Sequence, residues 1–408
     1  MKKFYIFIFL LFALNLNAQV KILFDATKAE ASGNGDWVID ADQHNLYFTS
    51  SGTVTTTGSE SNAQQIPTPA QSGITSTTVE SYWQGALSSW GIDMVKKGYT
   101  VESLPYNVAI TYGTTSNAQD LSNYKVFIID EPNIRFTTAE KTAILNFVQN
   151  GGGLFMISDH DQSDRNNDGW DSPHIFNDFM DTNTTHPFGI HFDYTDISGT
   201  YSNIATLPGD PLLHGVMGDV AKVMWSNGTT MTLNTTNNSS VKGVVFKTGA
   251  STTGTTNVLV AYCTYGSGRV AAMGDSSPAD DGSGDTGDQL YDGWITDASG
   301  NHEKLIVNAT IWLAGATTSI TENAKPSSIF LNQKTYSDKT EFIVSSSETH
   351  TNSEFCIYDL LGNLLYKTTN PFTEKIVLMN NCIKKGIFIY KLSVDGTPVK
   401  SGKFAVID

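Results

Sequence analysis

A chain of 408 residues exceeds what one compact domain usually needs, and with 16% charged and 11% aromatic residues it is neither disordered nor a coiled coil. Lys and Arg total 25 against 41 Asp and Glu, a formal net charge of −16, which excludes a nucleic-acid binder that relies on its own positive surface. Residues 319–408 hold 10 Lys against 9 acidic residues, so the surplus of acid lies earlier in the chain, as do all seven tryptophans.

Lys2 and Lys3, an apolar run over residues 4–14 and the sequence Leu16-Asn17-Ala18-Gln19 predict a secretory signal over 1–18, cleaved after Ala18. The run is shorter than the roughly 20 residues of a spanning helix, and no later stretch reaches that length, so no transmembrane segment is expected. Only Cys263, Cys356 and Cys382 occur. Cys356 and Cys382 can pair, whereas Cys263 reads as a buried strand thiol.

From residue 19 to 316 strand and helix patterns alternate. Residues 20–24 form a short strand, and a Ser/Thr-rich insertion lies near 49–78. Trp83, Leu87, Trp90 and Met94 recur at helical spacing up to Gly98. Strands are expected at 101–104 and 125–129. A capping box from Thr137 to Glu140 opens a helix that ends at Gly151. Further strands are expected at 154–157, 244–246, 258–262 and 269–273, and a last helix at about 303–314. This alternation predicts an α/β fold, a doubly wound and mostly parallel sheet covered on both faces. A polar linker at 317–326 separates it from residues 327–408, where short strands between Gly, Asn and Asp turns predict a small antiparallel β-sandwich.

Two resemblances add to this reading. Ile357-Tyr358-Asp359-Leu360-Leu361-Gly362, Lys385-Gly386-Ile387-Phe388-Ile389-Tyr390-Lys391-Leu392 and Gly402-Lys403-Phe404-Ala405-Val406 resemble the C-terminal sorting domain of type IX secretion cargo. That resemblance implies recognition by the type IX machinery, outer-membrane passage, and a secreted or cell-surface location. Val126-Phe-Ile-Ile-Asp130, Phe136-Thr-Thr-Ala-Glu140, Gly151-Gly-Gly-Leu-Phe155 and Gly268-Arg-Val-Ala-Ala272 resemble the class I glutamine amidotransferase-like fold. Where such amidotransferases carry an elbow cysteine this chain has Ser158-Asp159-His160, and no His-x-Glu pair follows the last strand, so glutamine hydrolysis is not expected.

Ligands of open parallel sheets collect beyond the carboxyl ends of the strands. Asp25, Asp130-Glu131, Asp159-His160-Asp161 and Asp275 follow successive strands. Carboxylates that close together need a cation or a basic partner to stay ionised, the alternative being solvated helix caps. A divalent metal held by Asp25, Asp159, His160 and Asp275 is therefore expected, with Asp159, His160 and Asp275 catalytic. Asp164-x-Asn166-x-Asp168-Gly169 matches the first half of an EF-hand loop, but Ile175 stands at its twelfth position, so Asp171 is expected to help complete a structural calcium site. Ser158, with His160 or His302 as base, is a weaker serine-hydrolase pattern lacking G-x-S-x-G. The resulting expectation is an exported, metal-dependent hydrolase acting on an extracellular polymer or ester. Its alternative is a non-catalytic, calcium-stabilised module that binds a glycan or another ligand.

Overall fold

The computed structural model describes residues 19–32, 35–40, 70–79, 82–106, 108–181, 186–284, 291–297 and 301–315, and in the C-terminal part 329–335, 339–346, 352–359, 364–371, 376–379, 386–394 and 397–406. The signal segment 1–18, residues 49–69 of the Ser/Thr-rich insertion, the linker 317–326 and Cys382 lie outside them. The chain divides into two compact units, Met1–Thr318 and Ser319–Asp408.

In the first unit a ten-stranded sheet is built from β1 (Lys21–Asp25), β2 (Thr100–Leu104), β3 (Val126–Asp130), β4 (Gly153–Ile157), β5 (Ile190–Phe192), β6 (Asn203–Ile204), β7 (Met231–Leu233), β8 (Lys242–Phe246), β9 (Val258–Tyr265) and β10 (Gly268–Met273). The strand order is β2-β1-β3-β4-β10-β9-β7-β5, with β8 pairing β9 and β6. The pairs from β2 through β10 are parallel. Every residue of β3 and β4 is buried, as the inner strands of a sheet covered on both faces must be. Beyond β10 the pairs are antiparallel. The sheet is therefore mixed, which corrects the expectation of a mostly parallel one. Only Gly266 and Ser267 separate β9 from β10, too few for the crossover that a parallel pair requires.

The helices are α1 (Ser88–Lys96), α2 (Thr138–Gln149), α3 (Ser172–Met180), the single-turn α4 (Gly293–Thr296) and α5 (Asn301–Leu313). The α2 capping box is formed: the Thr137 hydroxyl accepts from the Glu140 amide, and the Glu140 carboxylate accepts from the Thr137 amide. At the other end Gly151, at φ +106°, takes the left-handed position that ends the helix. Helix α1 begins at Ser88 rather than at Trp83, whose side chain packs in the preceding turns. The Trp90 ring meets Phe24 and Phe155 edge-on at centroid distances of 5.1 and 5.6 Å, which fixes the helix over β1 and β4.

The second unit has two antiparallel sheets. One comprises β11 (Ile329–Thr335), β12 (Lys339–Ser346) and β15 (Ile376–Met379); the other comprises β13 (Ser353–Tyr358), β14 (Leu364–Thr369), β16 (Gly386–Val394) and β17 (Thr397–Val406). Phe342, Ile376 and Leu378 of the first share one core with Phe355, Phe388, Leu392 and Phe404 of the second, as in a sandwich. Cys356 is buried with a free thiol.

Candidate functional site

The carboxyl ends of β1, β3, β4 and β10 lie side by side, so the acidic residues that follow them share one edge of the sheet. Here Glu131 follows β3 with φ +45°, a left-handed conformation unusual for a residue with a side chain, and it is fully buried. It accepts four hydrogen bonds. Trp37 Nε1 at 2.8 Å and Ser276 Oγ at 2.9 Å reach Oε2, while Arg165 Nε and Nη2 at 3.1 and 3.0 Å reach Oε1.

Arg165 Nη2 also donates to Asp159 Oδ2 at 2.8 Å and to Ser32 Oγ at 2.8 Å. The positive charge expected from a metal beside Asp159 is supplied by this guanidinium, whose planar fork spans two carboxylates. Burial, reinforced by the charges of Glu131 and Asp275, still holds the Asp159 carboxyl well above its usual range, even with Arg165 pulling it down. His160 lies beside it, with Nε2 at 3.6 Å from Asp159 Oδ2 and Nδ1 at 2.7 Å from the Asp161 carbonyl.

Asp275 is buried and accepts from the amides of Ser226 and Ser277. Burial outweighs those bonds and pushes its carboxyl up to about 8. Asp130 has both oxygens buried without a donor among the described residues, and its carboxyl is raised by burial and by Glu131, Asp275 and Asp280. Asp25, expected in the same cluster, instead has Thr27, Lys28 and Glu30 as its neighbours. Asp159 and Asp275 therefore meet around Glu131, while Asp25 belongs to a second group.

A cleft of about 230 Å³ opens onto Asp159, His160 and Arg165, walled by Ser32, Ser226, Asn227, Ser276, Ser277 and Tyr291. A second cleft, of about 340 Å³, shares Ser226, Ser277 and Tyr291 with it and runs on past Thr200, Met224 and Thr296. The two adjoin through these shared residues, giving a groove that is acidic at Asp159 and more apolar past Met224 and Trp225.

The loop expected to hold calcium is bonded to itself. Asp164 accepts from the amides of Asp168 and Gly169, the Asn166 carbonyl oxygen accepts from the Asp168 amide, and Asp168 accepts from the Trp170 amide. Asp171 caps α3 by accepting from the His174 amide and also accepts from the Gln162 amide. These are Asx turns, in which short polar side chains close the backbone around them. Among the described residues one set of three His, Cys, Asp or Glu side chains converges closely enough to hold a metal, Asp161, Asp171 and His174, so only Asp171 of the four loop residues takes part in it.

The form of the serine-hydrolase alternative that uses His302 as base finds no support in the geometry. Ser158 is buried with its hydroxyl 3.1 Å from that of Ser172, and His302 is fully buried. His302 Nε2 accepts from the Met224 amide at 2.8 Å, so Nδ1 carries the proton and donates to the Gly293 carbonyl at 2.7 Å. Both ring nitrogens are spent. Sequence reasoning passed over Glu131 as a hub and Arg165 as its partner; the one usable signal was a single basic residue inside the acid-rich run 159–171.

No family model matches the chain, and no curated protein matches it. Among solved structures it is similar to the mmIFT52 N-terminal domain, with 13% identity and a TM-score of 0.40 over 72% of this chain and 97% of that one. A ThuA-like protein from Parabacteroides merdae ATCC 43184 is 11% identical, with a TM-score of 0.38 over 74% of this chain and 92% of that one. The cytoplasmic protein STM3548 from Salmonella typhimurium is 15% identical, with a TM-score of 0.35 over 55% and 86%.

Proposed function

We propose that the chain is an exported hydrolase with an amidotransferase-like first unit that cleaves a glycosidic or ester bond of an extracellular polymer by general acid and base catalysis. One observation carries the reading: a buried carboxyl kept protonatable by its surroundings, Asp159, lines an open polar cleft beside an imidazole, His160. In this role Asp159 donates its proton to the leaving oxygen while His160 takes one from the attacking water, the first task needing a carboxyl that burial keeps protonated. Asp275 is itself pushed up to about 8 by burial, and the negative charges of Glu131 and, where it ionises, Asp275 favour the protonated form of Asp159. The metal first expected here has no part in this scheme, because Arg165 already bridges Asp159 and Glu131. The groove shared by the two clefts suits an extended substrate rather than a small one. Export rests on the signal-like residues 1–18 and on the sorting motifs of the second unit, and secretion of the full chain in a host with and without a type IX system tests it.

The test of chemistry is His160→Gln. Its ring bonds only to a neighbouring carbonyl and faces the cleft, so the variant is expected to keep its melting temperature while turnover falls by about 10²–10⁴ in a glycosidase and esterase screen. Unchanged turnover would remove the catalytic reading. A specific feature favours a second reading, a glycan-binding module: the cleft wall of serine hydroxyls, the Asn227 amide and the half-exposed Tyr291 ring is what a sugar needs for hydrogen bonding and stacking. Saturable glycan binding without turnover in the wild-type chain would select it.

A further inference from the structure

We propose that the loop following β1 forms a buried calcium site, held by Asp25 and Glu30 and separate from the cleft. Each carboxylate uses one oxygen locally: Asp25 Oδ1 accepts from the Thr27 amide at 3.0 Å, and Glu30 Oε2 accepts from the Lys28 amide at 2.9 Å. Their other oxygens, Asp25 Oδ2 and Glu30 Oε1, are buried with no donor among the described residues, although the two carboxyl groups are close enough to share a hydrogen. Asp25 is 2% exposed and Glu30 fully buried, so water does not screen their repulsion.

Beside them Asn133 Oδ1 is buried with no donor among the described residues, and the Thr27 hydroxyl hydrogen-bonds the Asp25 carboxyl, its oxygen still able to ligate a cation. The Asn133 amide nitrogen is clamped to the carbonyls of Ala29 and Ala31, one on each side of Glu30, at 2.8 and 2.9 Å. Lys28 does not neutralise the pair by contact, because its ammonium is bound to Glu140 at 2.7 Å. A single shared proton satisfies one oxygen pair and leaves Asn133 Oδ1, which can only accept, with nothing. A hard divalent cation answers Asp25 Oδ2, Glu30 Oε1 and Asn133 Oδ1 together. A set of carboxylate, hydroxyl and amide oxygens in an irregular loop, with no sulfur or imidazole, matches calcium rather than zinc.

The site has a structural consequence. Trp37 donates its backbone N–H to the Glu30 carbonyl at 2.8 Å and its indole N–H to Glu131. A cation on Glu30 therefore steadies the residue that buttresses the Glu131–Arg165 hub.

Terbium, a luminescent stand-in for calcium, tests this in the full chain, since Trp37 is adjacent and can sensitise its emission. The wild type is expected to show one saturable emission site displaced by calcium, and a melting temperature that rises by several degrees with calcium. Glu30→Gln should lose both responses, while Asp164→Ala and His174→Ala keep them. Should Glu30→Gln fail to fold, Thr27→Val, which removes a neutral ligand, decides: weaker emission and a smaller thermal response support the site, and wild-type behaviour overturns it. Absence of cation binding by the wild type at neutral pH, the outcome expected of a proton-sharing pair, also overturns it.

Discussion

Glu131 combines a strained backbone with four donors, and the two are physically linked. The left-handed turn after β3 costs on the order of 1 kcal/mol, and the hydrogen bonds from Trp37, Arg165 and Ser276 hold it in place. Glu131→Gln keeps the shape but removes the charge that faces the Arg165 guanidinium, leaving it only Asp159, whose carboxyl is itself held toward its protonated form. Urea titration is expected to show a loss of about 2–4 kcal/mol. Glu131→Gly, which relieves the backbone and deletes all four bonds, should be destabilised by less than Glu131→Ala, which deletes the same bonds and keeps the left-handed strain; equal losses in those two variants would mean that the turn stores no strain. His302 poses a different case at the same scale. It is fully enclosed and neutral, burial having lowered its pKa, and each nitrogen serves one backbone group. His302→Ala opens a cavity and strands the Met224 amide and the Gly293 carbonyl, so a loss of about 2–4 kcal/mol is expected, again by urea titration.

Elements carry the part of the site that the sequence makes legible. Unbroken apolar runs ending in acid, such as Val126-Phe-Ile-Ile-Asp130, can be read as buried parallel strands whose ends meet, and β1, β3, β4 and β10 do place their acids on one edge. The α2 capping box is equally readable, because its signal lies within four residues. Thr137→Ala removes the acceptor for the Glu140 amide and loosens the carboxylate that binds Lys28, so a loss of about 1–2 kcal/mol is expected by thermal or urea unfolding. The antiparallel half of the sheet was legible in principle from the two-residue turn Gly266-Ser267, with Gly266 at φ +58°. Apolar runs alone carry no direction, and so 258–262 and 269–273 looked like more of the same. What the sequence could not show is long-range pairing. Nothing local says that Arg165 reaches Ser32 and Glu131, or that Asp164, Asn166 and Asp168, spaced as for calcium, close on their own amides.

Across the molecule, stability against pH follows from how many carboxyl groups the fold keeps protonated. Asp275 is pushed up to about 8 and Asp280 up to about 7, chiefly by burial, and Asp130 and Asp159 are raised as well. For each of these the folded state holds a proton that the unfolded chain has released above about pH 4. Their stabilising contribution is thus complete below that pH and is lost as pH rises through the folded values. Opposite in sign are Glu140, Asp178 and Asp297, lowered in the fold, whose contributions vanish in acid, and His302, whose contribution is lost as pH falls below the ordinary imidazole value of 6.5. The raised group is the larger, so calorimetry is expected to find the highest melting temperature near about pH 5 and a decline toward about pH 8.5. A formal charge of −16 adds self-repulsion in the same direction. Asp275→Asn removes one titrating carboxyl without emptying its site and should flatten the decline by on the order of a few kcal/mol across that window. A melting temperature that holds level or rises from about pH 5 to about pH 8 would show these carboxyls already ionised and their charge met by bound cations. Repeating the scan with calcium then separates the two groups: a cation at Asp25 and Glu30 lifts the curve more at neutral than at acid pH, because protons compete for those carboxylates, and Glu30→Gln abolishes that lift while the decline set by Asp275 and Asp280 stays.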